Sequence, residues 1–222
     1  MVNACPPSNA GGAGRKDNDV TLNRDDAKRQ IMDAAGELIE QGGAAALQIR
    51  AIAKKAGVSV GSVYNIVGDI ETLHRMINVQ LLDELGMAGT ATSARLREDG
   101  VKDVRERLLA LAATYLDFVE RNYAKWSALL AFNRARPTAE LPEWYMVRLE
   151  MLFDIIAEVL MDTPLREDDE RRRIAARALW SAVHGIVTNS FIGSFSTSHE
   201  SESRRQIDLL VTVFVRGVEA GG

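Results

Sequence analysis

The fold of this chain is decided by residues 49–68, which read IRAIAKKAGVSVGSVYNIVG. Apolar residues recur at helical spacing on both sides of Gly57, namely Ile52, Ala56, Val58, Val63 and Ile66. Ala53 is small enough to let two helices cross closely. Because glycine adopts positive φ without a steric penalty, Gly57 can end one helix so that the next leaves at a steep angle. The pattern predicts a helix-turn-helix unit.

The second helix of this unit begins near Ser59, a good N-cap, and presents small and polar side chains on its outer face. In a helix-turn-helix protein this helix enters the DNA major groove. Val60 suits a thymine methyl group, Asn65 suits adenine, and the Tyr64 hydroxyl suits a phosphate. The residues expected to bind DNA are Gln48, Arg50, Lys54, Lys55, Ser59, Val60, Gly61, Ser62, Tyr64 and Asn65.

A plain three-helix packing corner with a glycine turn fits the same apolar spacing equally well, so charge must distinguish the two interpretations. The chain has a formal net charge of -4, which argues against a generic nucleic-acid binder. Residues 41–68, however, contain no Asp or Glu and keep Arg50, Lys54 and Lys55. This locally positive segment, with its small polar first turn, favours DNA binding.

Composition and periodicity predict an all-α protein. Hydrophobic residues make up 46% of the 222 residues, proline is scarce at five, and no alternating run indicates a strand. The single cysteine, Cys5, excludes an internal disulfide and suits a reducing cytoplasm, and the first residues lack the apolar stretch of a signal peptide. Residues 178–199 carry no charge, but their many polar side chains predict a buried helix rather than a membrane span.

Turn and cap residues divide the chain into four parts. The predicted parts are a disordered tail (1–22), a helix-turn-helix domain (23–68), a connecting helix ending at Gly86 (69–86) and a larger helical domain (87–222). The polar stretch 87–100 is interpreted as a hinge. Five further helices are predicted over about 104–119, 123–133, 142–161, 167–194 and 204–218.

A family resemblance is carried by residues 30–73, which read QIMDAAGELIEQGGAAALQIRAIAKKAGVSVGSVYNIVGDIETL. The I-x-D-A-A of the first helix, the R-A-I-A-x-x-A-G-V-S-x-G-S-x-Y of the helix-turn-helix and the following G-D cap resemble the N-terminal DNA-binding domain of TetR-family transcriptional regulators. The second part of the chain resembles, more loosely, a C-terminal domain type named for a Trp-His-Gly signature, here Trp180, His184 and Gly185.

The resemblance implies an all-α homodimer in which three small helices bind DNA and a larger helical domain dimerises and holds a small-molecule pocket. It also implies a palindromic double-stranded operator and release of the DNA when the ligand binds, without a cofactor. Three places depart from the family pattern, where an aromatic pair, a phosphate-binding lysine and a capping Ser or Thr are replaced by Ile66-Val67, Ile70 and Gln48. These departures predict weaker phosphate contacts.

Large side chains of the second part are candidates for the ligand pocket, with ordinary core packing as the alternative role. The pocket candidates are Tyr115, Trp126, Leu130, Phe132, Met151, Trp180 and His184. For the histidine, a structural hydrogen bond in the core is favoured over ligand binding. The last two helices are candidates for the dimer interface, with an intramolecular helix pair as the alternative. The interface candidates are Ala178, Ala182, Ile186, Ile207, Leu210, Val211 and Phe214.

Catalysis is disfavoured, because the three histidines and the lone cysteine show no metal-ligand spacing and no Ser/His/Asp order suggests a nucleophile. A ligand-free DNA-binding architectural or division-linked factor would have a solidly packed second domain. A degenerate family member would bind a partner protein instead of DNA. The predicted function is a transcriptional repressor switched by a small, largely apolar ligand.

Overall fold

The computed structural model describes residues 23–135, 141–192 and 199–221, and every regular element in these ranges is helical. The α-helices are α1 (Arg24–Gly42), α2 (Ile49–Ala56), α3 (Val60–Val67), α4 (Ile70–Glu98), α5 (Val104–Arg121), α6 (Tyr123–Arg134), α7 (Glu143–Val159), α8 (Asp169–Ile192) and α9 (His199–Ala220). Short 3₁₀ segments cover Ala44–Ala46, Leu160–Asp162 and Pro164–Glu167. The predicted all-α fold is confirmed. The predicted tail, 1–22, lies outside the described residues.

The first three helices and the start of α4 enclose a small hydrophobic core, the head core. Its buried members include Ile31, Ala35, Ile39, Leu47, Ile52, Ala53, Val63, Val67, Leu73 and Ile77. Ala53 is only 3% exposed, as the predicted helix crossing requires. These helices thus form the three-helix arrangement that the spacing around Gly57 indicates, and together they are called the head.

The turn between α2 and α3 has the predicted geometry. Gly57 caps α2 in the left-handed conformation, with φ 69° and ψ 24°. A Cβ atom there would meet nothing within 4 Å, so the backbone conformation and not the available space is what favours glycine. Ser59 is the N-cap of α3, because its Oγ accepts a hydrogen bond from the Ser62 amide at 2.9 Å.

The connecting helix is longer than predicted. α4 continues without a break to Glu98, so the predicted helix end at Gly86 and the predicted hinge over 87–100 are wrong. The small residues serve close packing instead, since a Cβ atom on Gly89 would lie 3.3 Å from Ile155 Cδ1 on α7. The division into two domains at this place stays a prediction.

The start of α4 is capped by Asp69, whose Oδ1 accepts a hydrogen bond from the Thr72 amide at 2.7 Å. Hydrogen bonds from the Thr72 backbone and side chain lower the pKa of this carboxyl from its ordinary value of 3.8. We expect Asp69→Ala to lower the free energy of unfolding by about 1 kcal/mol near pH 7. Chemical unfolding of the variant and the wild type measures this difference.

The pH dependence of that difference has a definite sign. Because the folded-state pKa is depressed, the stabilisation by Asp69 is present above the unfolded value of 3.8 and is lost as pH falls through the lower folded value. The free energies of unfolding of the wild type and of Asp69→Ala should therefore converge in strong acid. Asp69→Asn keeps an acceptor and should cost less than Asp69→Ala. A constant gap between wild type and Asp69→Ala at all pH values would contradict the assignment.

The second core, the body core, is built from α5 to α9 and the later turns of α4. Leu81, Leu82 and Leu85 of α4 belong to it, whereas Leu73 and Ile77 of the same helix belong to the head core. One continuous helix therefore contributes to both cores. No helix among the described residues is both long enough and apolar enough to cross a membrane.

Candidate functional site

The outer face of α3 is open to solvent. Its exposed residues are Ser59, Val60, Gly61, Tyr64 and Asn65. Two of these side chains are large, with Val60 40% and Tyr64 51% exposed. Val63, on the opposite face of the helix, is completely buried in the head core. Ser62 is half-buried, and its Oγ lies 2.8 Å from Ser59 Oγ. The predicted outward orientation is therefore present, with an apolar, a phenolic and an amide group side by side.

The cations of α2 differ in their surroundings. Arg50 and Lys54 are exposed, whereas Lys55 Nζ lies 2.6 Å from Glu37 Oε2 on α1. An ion pair at the surface contributes about 0–1 kcal/mol, so it holds the lysine only weakly. Arg50 and Lys54 are the better placed of the predicted phosphate contacts.

The positions that depart from the family pattern have structural explanations in two cases. Ile66 and Ile70 are partly buried and pack against the head core. Gln48 is the N-cap residue of α2 but makes no side-chain capping hydrogen bond. The first two side chains thus stabilise the head, while Gln48 leaves the start of α2 without a side-chain cap.

The helices around the body core, called the body, contain an aromatic cavity of about 170 Å³ between α4, α5, α6, α7 and α8. The described residues that line it are Leu81, Leu82, Leu85, Tyr115, Phe118, Trp126, Leu129, Leu130, Asn133, Leu141, Tyr145, Leu149, Trp180 and His184. They include the predicted Tyr115, Trp126, Leu130, Trp180 and His184. No Lys, Arg, Asp or Glu is among them. The predicted grouping of these aromatic residues is therefore present around one cavity.

Tyr115 is the centre of the polar contacts at this cavity. Its hydroxyl accepts a hydrogen bond from Trp126 Nε1 at 3.3 Å and lies 2.7 Å from His184 Nδ1. Trp180 stacks on His184 with ring centroids 6.0 Å apart. Burial raises the pKa of Tyr115 and lowers the pKa of His184, because desolvation disfavours both charged forms. His184 thus has the hydrogen bond in the core that the sequence favoured.

Two pocket candidates lie elsewhere. Met151 is 51% exposed on α7 and lines neither this cavity nor the smaller one described next, so its assignment to a pocket is wrong. Phe132 is buried, but it stacks on His74 of α4 at 4.6 Å instead of lining the cavity. The inward residues of α7 that were missed are Tyr145 and Leu149. Their spacing of four residues places both on the inner face of α7. Met151 lies outside this face, on the exposed side of the helix.

A second, smaller cavity of about 60 Å³ shares Leu85, Tyr115 and Trp180 with the aromatic cavity. Most of its other lining is aliphatic, and Thr114 is its one hydroxyl besides Tyr115. The Thr114 hydroxyl is already engaged, because it donates to the Ala110 carbonyl at 2.9 Å and lies 2.8 Å from Thr92 Oγ1. This cavity offers little to a polar ligand.

Helix α6 lies between the aromatic cavity and the head. Trp126 and Leu130 line the cavity, whereas Ala128 belongs to the head core. Lys125 Nζ lies 3.2 Å from Glu40 Oε1 of α1, which adds a polar contact on the head side. Helix α6 therefore contacts both the cavity and the helices α1 and α4, which pack against α3. A movement of α6 at the cavity would act directly on these two helices.

The predicted dimer residues are only partly available to a partner. Ile207 is 4% and Val211 is 1% exposed within the protomer, so their assignment to an interface is wrong. The other candidates are exposed or half-buried, namely Ala178, Ala182, Ile186, Leu210 and Phe214. The large apolar side chains exposed on α8 and α9 are Ile174 at 58%, Leu209 at 65% and Val213 at 60%. Ile207 and Val211 were assigned wrongly because the apolar stripe of α9 to which they belong packs against its own protomer.

The part of the chain that the structure describes holds no group of three or more His, Cys, Asp or Glu side chains arranged for a metal ion. The described side chains on α3 and around the aromatic cavity provide hydrogen-bonding groups, apolar contact surface and, near α3, positive charge. These properties suit recognition of DNA at α3 and of a small molecule in the body.

Two family models match the chain. One, described as bacterial regulatory proteins of the tetR family, matches residues 31–65, and the other, described as a Tetracyclin repressor-like C-terminal domain, matches residues 108–214. The first covers α2 and most of α3, and the second covers most of the body. Neither description mentions a Trp-His-Gly type, so that finer resemblance stays a prediction.

Two sequence relatives extend the match beyond the head. The chain is 28% identical over 168 residues to an uncharacterized HTH-type transcriptional regulator, Rv0681, of Mycobacterium tuberculosis. This alignment covers 75% of this chain and 71% of that protein. It is also 28% identical over 177 residues to the HTH-type transcriptional regulator BetI of Stenotrophomonas maltophilia, covering 78% of this chain and 86% of that one.

A similar fold occurs in a solved structure of a transcriptional regulator from Rhodococcus sp. Rha1. The TM-score is 0.67 at 20% sequence identity, with 86% of this chain and 97% of that chain covered. At this identity the likeness concerns the fold alone. The two family models match the head and the body in this order along the chain.

Proposed function

Because the chain belongs to the TetR family of bacterial transcriptional regulators, we propose that it is a homodimeric repressor which a small, largely apolar molecule releases from a palindromic operator. Proteins of this family act by binding DNA and not by catalysis. The observation that carries the proposal is the position of α6, which lines the aromatic cavity with Trp126 and reaches the head core with Ala128.

DNA recognition falls to the exposed face of α3. Asn65 has the donor and acceptor that pair with adenine, and Val60 has the methyl groups that contact thymine. The Tyr64 hydroxyl, with Arg50 and Lys54 on α2, serves the phosphates, which position the head without reading sequence. This division of roles gives each side chain a different effect on binding.

The Asn65→Ala variant is expected to lose discrimination at one base pair of the operator by about 1–3 kcal/mol. The reason is that alanine keeps the helix but removes both hydrogen-bonding groups. Tyr64→Phe is the matched comparison, because it should weaken binding to every sequence by about fivefold and leave base preference intact. Fluorescence anisotropy with the operator and single-base variants measures both. Unchanged DNA binding by both folded variants would contradict the role of α3.

The dimer forms through an apolar surface that is exposed in the single protomer. This dimer face consists of Ile174 and Ala178 on α8 and Leu209 and Val213 on α9. The two helices pack against each other, so a two-fold axis through them would form a four-helix contact. Two heads are needed because a palindromic operator presents two half-sites in successive major grooves.

The effector binds in the aromatic cavity. A cavity of about 170 Å³ is not expected in a ligand-free architectural factor, whose second domain would be solidly packed. A ligand there would press on Trp126 and shift α6 against α1 and α4. If one spacing of the heads fits the operator and another fits the ligand, each weakens the binding of the other by the same factor.

The proposal is tested by binding of the purified protein to the intergenic DNA beside its own gene, titrated with salt and challenged with unlabelled random DNA. Tight and selective binding that weakens steeply with salt is expected of a regulator with several phosphate contacts. Equal and weak binding to all DNA would contradict the proposal that the protein recognises a specific operator. Selective binding that no small molecule reverses would contradict the proposal that an effector releases the DNA.

A further inference from the structure

Three polar groups form a hydrogen-bonded relay at the wall of the aromatic cavity. Trp126 Nε1 donates to the Tyr115 hydroxyl at 3.3 Å, and that hydroxyl lies 2.7 Å from His184 Nδ1. An indole N–H is only a donor, so the first hydrogen bond has one possible direction. The direction of the second hydrogen bond decides which nitrogen of His184 carries a hydrogen.

The second direction follows from the burial of Tyr115, which is only 4% exposed. Its hydroxyl hydrogen needs an acceptor, and among the described residues His184 Nδ1 is the only one within hydrogen-bond distance. If Nδ1 carried the hydrogen instead, the tyrosine hydrogen would be buried without an acceptor. Tyr115 therefore donates to Nδ1, and the neutral imidazole carries its hydrogen on Nε2.

The Nε2–H group is the free end of the relay. It has no hydrogen-bond partner among the described residues, and His184 lines the aromatic cavity. Trp180 stacks on the ring with an interplanar angle of 15°, which holds the imidazole in its orientation. Burial lowers the pKa of His184, so the ring is neutral near pH 7 and Nε2 is a neutral donor.

We propose that the effector is an uncharged molecule with a flat apolar body that presents a hydrogen-bond acceptor, such as a carbonyl oxygen, to His184 Nε2–H. The proposal rests on the proposed function, because it names the class of molecule that the same cavity takes. An acceptor completes the relay, whereas a group without a lone pair leaves Nε2–H unpaired in the occupied cavity.

The lining of the cavity argues for an uncharged ligand. Among the described residues it contains no Lys, Arg, Asp or Glu, so a carboxylate or an ammonium group would lose its hydration without gaining an ion partner there. Seven leucines and five Phe, Tyr or Trp side chains form most of the described lining, and the aromatic rings pack well against a flat ring. The volume of about 170 Å³ suits a body of one ring, since an engineered cavity of about 150 Å³ accepts benzene.

The test uses probes of one size that differ in a single property. Acetophenone carries a carbonyl acceptor, and α-methylstyrene replaces that C=O by C=CH₂. Benzoate adds a negative charge, and phenyltrimethylammonium adds a positive one. Quenching of Trp126 and Trp180 fluorescence and ligand-observed NMR report binding to the full chain. We expect acetophenone to bind about tenfold more tightly than α-methylstyrene and than either ion.

The Tyr115→Phe variant connects that preference to the relay. Without the hydroxyl, Nδ1 is no longer held as an acceptor, so the advantage of acetophenone over α-methylstyrene should fall to within about twofold. Tyr123→Phe is the matched control, because Tyr123 is exposed on α6 and lies outside the cavity. The control should keep the wild-type preference.

A second measurement covers the case in which Tyr115→Phe does not fold. Nitrogen-15 NMR of the wild-type imidazoles, with His184 identified by the signal missing from His184→Asn, should show hydrogen on Nε2. Hydrogen on Nδ1, equal binding of acetophenone and α-methylstyrene, tight binding of an ion, or no binding of any probe would each overturn the proposal. Operator binding is measured on the same samples. Loss of selective DNA binding refutes the proposed function alone, whereas operator release without acceptor preference refutes this inference alone.

Discussion

The Val213→Asp variant is expected to be monomeric and to bind the operator at least about 100-fold more weakly than the wild type. Val213 is 60% exposed at the centre of the proposed dimer face, beside Leu209 on the same side of α9. A two-fold axis would bring the two carboxylates close together in an apolar contact, where like charges repel strongly. A monomer has one head and loses the roughly 10²–10⁴-fold gain that linkage of two heads provides.

Sedimentation velocity measures the oligomeric state, and anisotropy with the full operator measures the affinity. Met87→Asp is the control, because Met87 is 66% exposed on α4 and lies outside the dimer face. It introduces the same charge and should remain dimeric with wild-type affinity. A dimeric Val213→Asp protein would place the interface on another surface. A monomer that binds the operator as tightly as wild type would show that dimerisation does not contribute to recognition.

The Trp126→Ala variant is expected to lower the free energy of unfolding by about 3–5 kcal/mol. Trp126 is 4% exposed, donates to Tyr115 and packs edge-on against His184 and Phe191. Alanine removes these contacts and enlarges a cavity that already exists, so the neighbours cannot close the gap fully. The same residue thus belongs to the body core and to the wall of the aromatic cavity.

Denaturant unfolding followed by circular dichroism measures the loss, and Trp144→Ala provides the matched comparison. Trp144 is 43% exposed on α7 and has its one described ring contact with Tyr145 at 6.2 Å, so its loss should cost less than about 1 kcal/mol. Similar losses from the two substitutions would mean that Trp126 is not packed as described. In that case the cavity would be wider and less ordered than its lining suggests.

Part of the lining of the aromatic cavity could be predicted from the sequence because aromatic residues are few in this chain. They make up 6% of it, and several lie at helical spacing in the predicted second domain. Tyr115, Trp126 and Trp180 lie around one cavity in the structure, and their binding of a ligand stays a prediction. Asn133 and Tyr145 were missed, since no local pattern indicates that α6 and α7 meet at one cavity.

The misassigned residues share a physical cause. Periodicity shows that a helix has an apolar face, but it does not show which neighbour covers that face. Ile207 and Val211 therefore fitted a dimer contact and an internal contact equally well, and the burial of both within the protomer decides for the second. Met151 was misplaced because its helix has apolar residues on more than one side.

The sequence alone was sufficient for the helix-turn-helix, because Gly57, Ser59 and the apolar residues around them act within one or two turns of each other. Backbone conformation, capping and spacing are local properties, and they are visible in a single chain. The continuation of α4 past Gly86, the position of α6 between head and cavity and the relay from Trp126 to His184 required the tertiary structure. Each depends on contacts between residues far apart in sequence, which helix packing creates and local preferences do not encode.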